Sequence, residues 1–173
     1  MRKRLCLAVV FLTVGCSGYG SKPTSDCDRS EAAVLSVAEG LVAADNRQDL
    51  EDVLDHYTTD VTFITAEGEL VEGTNAVRPR YEELFQNFVV DIQMESEEVG
   101  VGFEWAFVRG RNVGRLTSKT SDVVARLDDR FLMILRCEPS RGWRVSHLTW
   151  VHVNSSSRDS GEQSQSLLFI CDN

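Results

Sequence analysis

The side chains best suited to chemistry are two basic residues on segments that read as strands, Arg109 and His147, with His152 and Arg130 as further polar candidates. Period-2 alternation from Trp105 to Arg115 places Trp105, Phe107 and Arg109 on one face, and Val145, His147 and Thr149 on one face of the last strand. An imidazole titrates near working pH, so His147 is a candidate catalytic proton-transfer group. Its other reading is a hydrogen-bonded wall residue, since no carboxylate stands at a supporting position. Arg109, beside two aromatic rings, could stabilise negative charge in a catalytic site or anchor a carboxylate or enolate. Its alternative is a salt bridge to one of the many acidic residues. Tyr57, Phe63, Tyr81, Phe85, Trp105 and Trp150 are the aromatic side chains expected around a ligand pocket, with core packing as the competing role for those at helical or strand spacing. No HExxH, P-loop, GxSxG or Cys/His metal spacing occurs, so the sequence supports neither a metal nor a cofactor.

Those residues must be positioned by about 125 residues, enough for one domain, assigned to 28–153. Asp28-Arg29-Ser30-Glu31 has capping-box spacing and opens a helix with Val34, Val37, Ala38, Leu41 and Val42 on one stripe. A short second helix is predicted from Leu50 to Tyr57, ended by a turn at Thr58-Thr59-Asp60. Val61 to Thr65 is β-branched and aromatic and reads as a strand, with Leu70-Val71 after the next turn. Asn75 is expected to cap a third helix, Ala76 to Phe88, that buries Val77, Tyr81, Leu84, Phe85 and Phe88. The period then changes to 2, giving four long strands: Val89 to Val101, Phe103 to Thr117, Val123 to Cys137 and Arg144 to Val153. Three helices followed by long strands is an α+β order, with helices on one face of a curved antiparallel sheet.

The N-terminus carries a different message. Met1-Arg2-Lys3-Arg4 followed by apolar Leu5 to Val14 has the form of a secretory leader, and its run of apolar residues is about half the roughly 20 that a spanning helix needs. The ending Leu12-Thr13-Val14-Gly15-Cys16 resembles the lipobox of bacterial lipoproteins, with Thr13 where Leu is commonest. The resemblance implies a signal peptide over 1–15, lipidation of Cys16, and export to the periplasm or cell surface with attachment to the membrane through lipid alone. Residues 16–27 are expected to form a flexible Gly/Ser/Pro tether, and 154–173 a Ser-rich loop with a short apolar tail. Loss of residues 1–15 removes three of 18 basic residues and none of 27 acidic ones, leaving a net charge of −12. That balance disfavours nucleic acid as a partner, because such proteins need a basic footprint. Of the cysteines left, Cys27, Cys137 and Cys171, the expected disulfide is Cys27 with Cys171, stapling the chain ends, and Cys137 is a buried strand residue.

Several pieces in order resemble the NTF2-like superfamily, and within it the SnoaL-like proteins and the group called DUF4440. They are Asp49-Leu50 through Tyr57-Thr58-Thr59-Asp60-Val61-Thr62-Phe63, Glu72-Gly73, Trp105-Ala106-Phe107-Val108-Arg109-Gly110, and Gly142-Trp143-Arg144-Val145 with His147. The resemblance implies a cone-shaped NTF2-like fold with a pocket between sheet and helices, and a possible homodimer through the outer sheet face. The fold hosts isomerases, cyclases, hydrolases and non-catalytic domains, so the site must decide. The isomerase branch uses an aspartate base near the end of the first strand, and that position falls on Thr65, which cannot act as a base near neutral pH. Two functions follow: binding of a small hydrophobic or acidic molecule without catalysis, or cofactor-free acid–base catalysis with His147 as base and Arg109 stabilising charge.

Overall fold

The computed structural model describes residues 27–153, which form three helices and six strands. Helix α1 (Glu31–Arg47) starts at Ser30, whose hydroxyl accepts from the Ala33 amide at 3.2 Å, and stops where Gln48 turns left-handed. Val34, Ala38, Leu41 and Val42 are buried along it, as the apolar spacing predicts. Helix α2 (Leu50–Asp55) is capped by the Asp49 carboxylate, which accepts from the Asp52 amide.

Strand β1 (Tyr57–Ile64) begins four residues before the predicted one, and takes in the expected turn at Thr58-Thr59-Asp60. Two β-branched threonines favour extended backbone, and Arg136 holds the Asp60 carboxylate with two hydrogen bonds from another strand. Strand β2 (Leu70–Glu72) pairs with β1, and Gly73 follows with φ of 82°, a conformation a side chain would resist. Gly73, rather than Asn75, precedes helix α3 (Thr74–Asn87), in which Val77 and Phe85 are buried and Tyr81 is half-buried.

The long strands are β3 (Phe88–Val101), β4 (Trp105–Ser118), β5 (Val124–Glu138) and β6 (Gly142–His152), in a single sheet of order β2-β1-β6-β5-β4-β3. Their pairings are antiparallel, as expected. The β1–β6 pairing is parallel, which is possible because α3 and β3 to β5 separate the two strands in sequence. Helices cover one face of this curved, unclosed sheet, and Tyr57, Val61, Val108, Leu135 and Val145 fill the layer between.

Cys27 is bonded to Cys137, across 110 residues and with Cα atoms 6.0 Å apart, which corrects the expected Cys27–Cys171 pair. The cause is local: Trp143 Nε1 donates to the Asp28 carbonyl at 2.7 Å, and Trp143 is paired with Cys137 across β5 and β6. The chain entering α1 is thereby laid against that hairpin. Cys171, the leader, Cys16, the tether through residue 26 and the tail from 154 lie outside the described residues.

Candidate functional site

The strand alternation is as read, but it points Arg109 away from the helices. Ala106, Val108 and Gly110 are buried on the inner face of β4, whereas Trp105 and Arg109 are exposed on the outer face. There Arg109 donates from Nη1 to Glu97 at 2.6 Å and from Nε to Glu98 at 3.0 Å. It is a surface ion pair, and Arg130 also bonds Glu97.

His147 is displaced for a different reason. The β5–β6 register slips between Ile134 and Leu135, so that Val145 opposes Leu135 and His147 opposes Ile134, with Ser146 as the extra residue. The Ser146 hydroxyl donates to the Ile134 carbonyl at 3.0 Å, which fixes the bulge. Val145 therefore points inward, and His147 and Thr149 do not share its face. The His147 ring lies outside, 6.3 Å from Trp105 and with Nδ1 3.1 Å from the Ser146 hydroxyl. His147 and Trp105 meet on this outer face, while Arg109 is engaged there by Glu97 and Glu98.

On the inner side, five of the expected aromatics form a connected chain. Ring centroids are 5.5 Å apart for Phe85 and Tyr81, 6.3 Å for Tyr81 and Tyr57, 5.2 Å for Tyr57 and Phe63, and 6.0 Å for Phe63 and Trp150. The hydroxyls of Tyr57 and Tyr81 lie 2.7 Å apart, and burial holds both phenols well above their usual range. Beside them stands Asp45, whose charge both phenols feel. Its Oδ1 is buried with no hydrogen-bond partner, and burial pushes the carboxyl up to about 8. Asp45 and Tyr81 each keep some accessible surface, so neither is sealed in the core.

Asp45 was not among the sequence candidates, although the signal was there. It falls at the next step of the stripe Val34, Ala38, Leu41, where an apolar residue belongs. A carboxylate at that position is either wasteful or useful.

A second polar group lies on the same inner surface. After the bulge Leu148, Trp150 and His152 face inward, and Asn112, Asp129 and His152 are direct neighbours across β4, β5 and β6. His152 Nδ1 and Asp129 Oδ1 share a hydrogen bond of 2.6 Å, with Glu67 3.6 Å from Nε2. Burial raises the Asp129 carboxyl, and the buried Asn112 Oδ1 has no partner. Thus His152, and not His147, has a carboxylate to orient it; cross-strand register, invisible in the sequence, supplies the partner.

A cleft of about 230 Å³ opens between α2, α3 and β1, but its charges are already matched, Arg78 with Glu51 and Arg141 with Asp55. Among the described residues no three His, Cys, Asp or Glu side chains converge on a point where a metal could sit.

Helices on one face of a bent, unclosed sheet, with polar groups buried between the two layers, define the NTF2-like class of small α+β domains. The family model described as "SnoaL-like domain" matches residues 38–147, and the chain belongs to that family. Among solved structures it is similar to a ketosteroid isomerase-like protein from Erwinia carotovora atroseptica SCRI1043, 25% identical, covering 70% of this chain and 95% of that one with a TM-score of 0.65. A conserved protein from Planctomyces limnophilus DSM 3776 is 19% identical, with 71% and 97% covered and a TM-score of 0.66. An NTF2-like superfamily protein from Salmonella enterica serovar Typhimurium LT2 is 11% identical, with 76% and 96% covered and a TM-score of 0.64. The sequence matches no curated protein.

Proposed function

We propose that the protein is an exported, lipid-anchored SnoaL-like domain that binds a small, mainly apolar molecule between its helices and sheet, without catalysis. The observation that carries this reading is the buried, unpartnered Oδ1 of Asp45 beside the Tyr57–Tyr81 pair. An unmet polar atom among aromatic rings is costly unless a ligand meets it. Export is supported by the basic and apolar leader ending at Gly15-Cys16, and by the Cys27–Cys137 disulfide, a bond that persists in oxidising compartments. Arg109 and His147 have no part in this site.

The isomerase chemistry suggested by the Erwinia neighbour's description has little to work with at the end of β1. Thr65 is buried there, and its hydroxyl accepts from the Glu69 amide. One observation favours an enzymatic second reading, the 2.6 Å bond that orients His152 against Asp129 on the inner face. In that reading His152 is the base of a cofactor-free proton transfer.

Thermal-shift screening of the mature chain against small hydrophobic molecules tests the proposal. Hits should raise the melting temperature of wild type, Arg109→Ala and His147→Ala alike, and lose effect in Asp45→Ala, which removes the polar group altogether, and in Tyr81→Phe. Full stabilisation of the last two variants by every hit would remove the interior site. Chemical change of a hit that stops in His152→Ala would replace the binding reading with the enzymatic one.

A further inference from the structure

We propose that the molecule bound between helices and sheet is a monocationic amine with an apolar body, its ammonium paired with Asp45 and its body among the rings of Tyr57, Tyr81 and Phe85. This inference rests on the binding reading above and narrows it to one ligand class.

The argument begins with a missing charge. A carboxyl turned into an apolar interior normally has a protein cation or several hydrogen-bond donors beside it. Asp45 Oδ1 has no donor, and burial is the sole cause of its shifted titration. Cations on the flanking elements are committed elsewhere: Arg47 and His56 to Asp52, Arg78 to Glu51, Arg80 to Glu69, Arg111 to Asp128, Arg115 to Asp91, Arg141 and Arg144 to Asp55, and Lys119 to the Phe85 carbonyl. The titratable groups that feel Asp45 from β1 and α3 are the phenols of Tyr57 and Tyr81, bonded to each other and neutral. On the inner sheet face Asp129 and His152 satisfy one another, with Glu67 beside them. Among the described residues, then, no cation is paired with Asp45, and a bound ligand would supply the matching positive charge.

The surroundings suit such a charge. Aromatic faces attract cations, more strongly when water is excluded, and the chain's net charge of −9 biases the field the same way. An acidic ligand, one of the two classes expected from the sequence, would meet repulsion from Asp45. A neutral ligand would leave the carboxyl protonated and gain one hydrogen bond from it, which an asparagine could supply equally well.

Proton balance gives a signature. In the empty protein near pH 6.5 the Asp45 carboxyl holds its proton, because burial raises it to about 8. An arriving ammonium keeps its own protons, Asp45 ionises, and one proton passes to solvent for each amine bound.

Calorimetric titration of the mature chain with 4-phenylbutylamine, 4-phenylbutanol and 4-phenylbutyrate compares three head groups on one body. The amine should bind wild type at least about tenfold more tightly than the alcohol, equivalent to about 1.4 kcal/mol, with butyrate weakest. At pH 6.5, heats in two buffers of different ionisation enthalpy should report release of close to one proton. Asp45→Asn, a near-isostere checked by its melting curve, should bind amine and alcohol equally and release none. Equal binding of amine and alcohol to wild type, or an amine preference that survives in Asp45→Asn, overturns the amine assignment while leaving the binding site standing. No binding of any of the three overturns this inference, and the broader screen above then decides the binding reading separately.

Discussion

The hydroxyls of Tyr57 and Tyr81 lie 2.7 Å apart, so the first residue of β1 is tied to the middle of α3 by a hydrogen bond inside the domain. Removing one hydroxyl leaves the other buried and unpaired, at a cost of about 1–3 kcal/mol. Tyr81→Phe and Tyr57→Phe should each destabilise the protein by that amount in urea unfolding. The double variant should lose much less than the sum, and strict additivity would show that the pair does not interact.

Asp45 makes stability depend on pH in the less usual direction for a carboxylate. Burial pushes its carboxyl up to about 8 in the folded protein, from the 3.8 of an exposed aspartate, so between these limits the folded state holds a proton that the unfolded chain has released. Stability from this group is therefore intact below about pH 4 and declines as pH rises toward 8, by roughly 4 kcal/mol at pH 7. Asp129, also raised by burial, acts in the same direction. Asp45→Asn should be several kcal/mol more stable than wild type at pH 7.5, with the gap closing near pH 4.5. Urea midpoints measured across this range decide the matter, since a gap independent of pH would mean that Asp45 does not titrate as described.

The Cys27–Cys137 bond closes a loop of more than 100 residues, a length for which the loss of unfolded-chain entropy is large. Reduction, or Cys137→Ser, should cost about 2–5 kcal/mol and lower the melting temperature markedly. Cys171→Ser should leave it unchanged. Mass mapping of the non-reduced protein must find Cys27 and Cys137 in one linked peptide pair, and a Cys27–Cys171 pair would reinstate the staple expected from the sequence.

Much of the fold was legible because it depends on periodicity. The stripe Val34, Ala38, Leu41 and the alternation in β4 and β5 each report a buried face directly. What periodicity does not report is which side of a strand meets the helices, nor an extra residue in a ladder. Arg109 fell on the correct face of β4 for its neighbours, yet that face is the outer one. Ser146 reverses the alternation of β6, and no residue type announces such a bulge, so His147 changes sides with Trp150 and His152. Asp129 could be recognised as the partner of His152 only once the β5–β6 register was known. Asp45 was hidden by habit rather than by physics, for a charged residue on an apolar stripe is a readable exception.

The outer-face residues should behave as a surface network and nothing more. Arg109 is about half exposed, as is Glu98, and water and salt screen such pairs so that each contributes about 1 kcal/mol or less. Arg109→Ala should change the unfolding free energy by no more than that, and the change should shrink in 0.5 M salt as the Debye length shortens. Glu97 is the more sensitive partner, because it binds Arg109 and Arg130 together and is the less exposed member of both pairs. Glu97→Gln should therefore destabilise more than Glu98→Gln, while ligand binding stays at the wild-type level in all three variants. A loss of ligand affinity in Arg109→Ala would require the guanidinium to reach the interior, on the far side of β4 from where it lies.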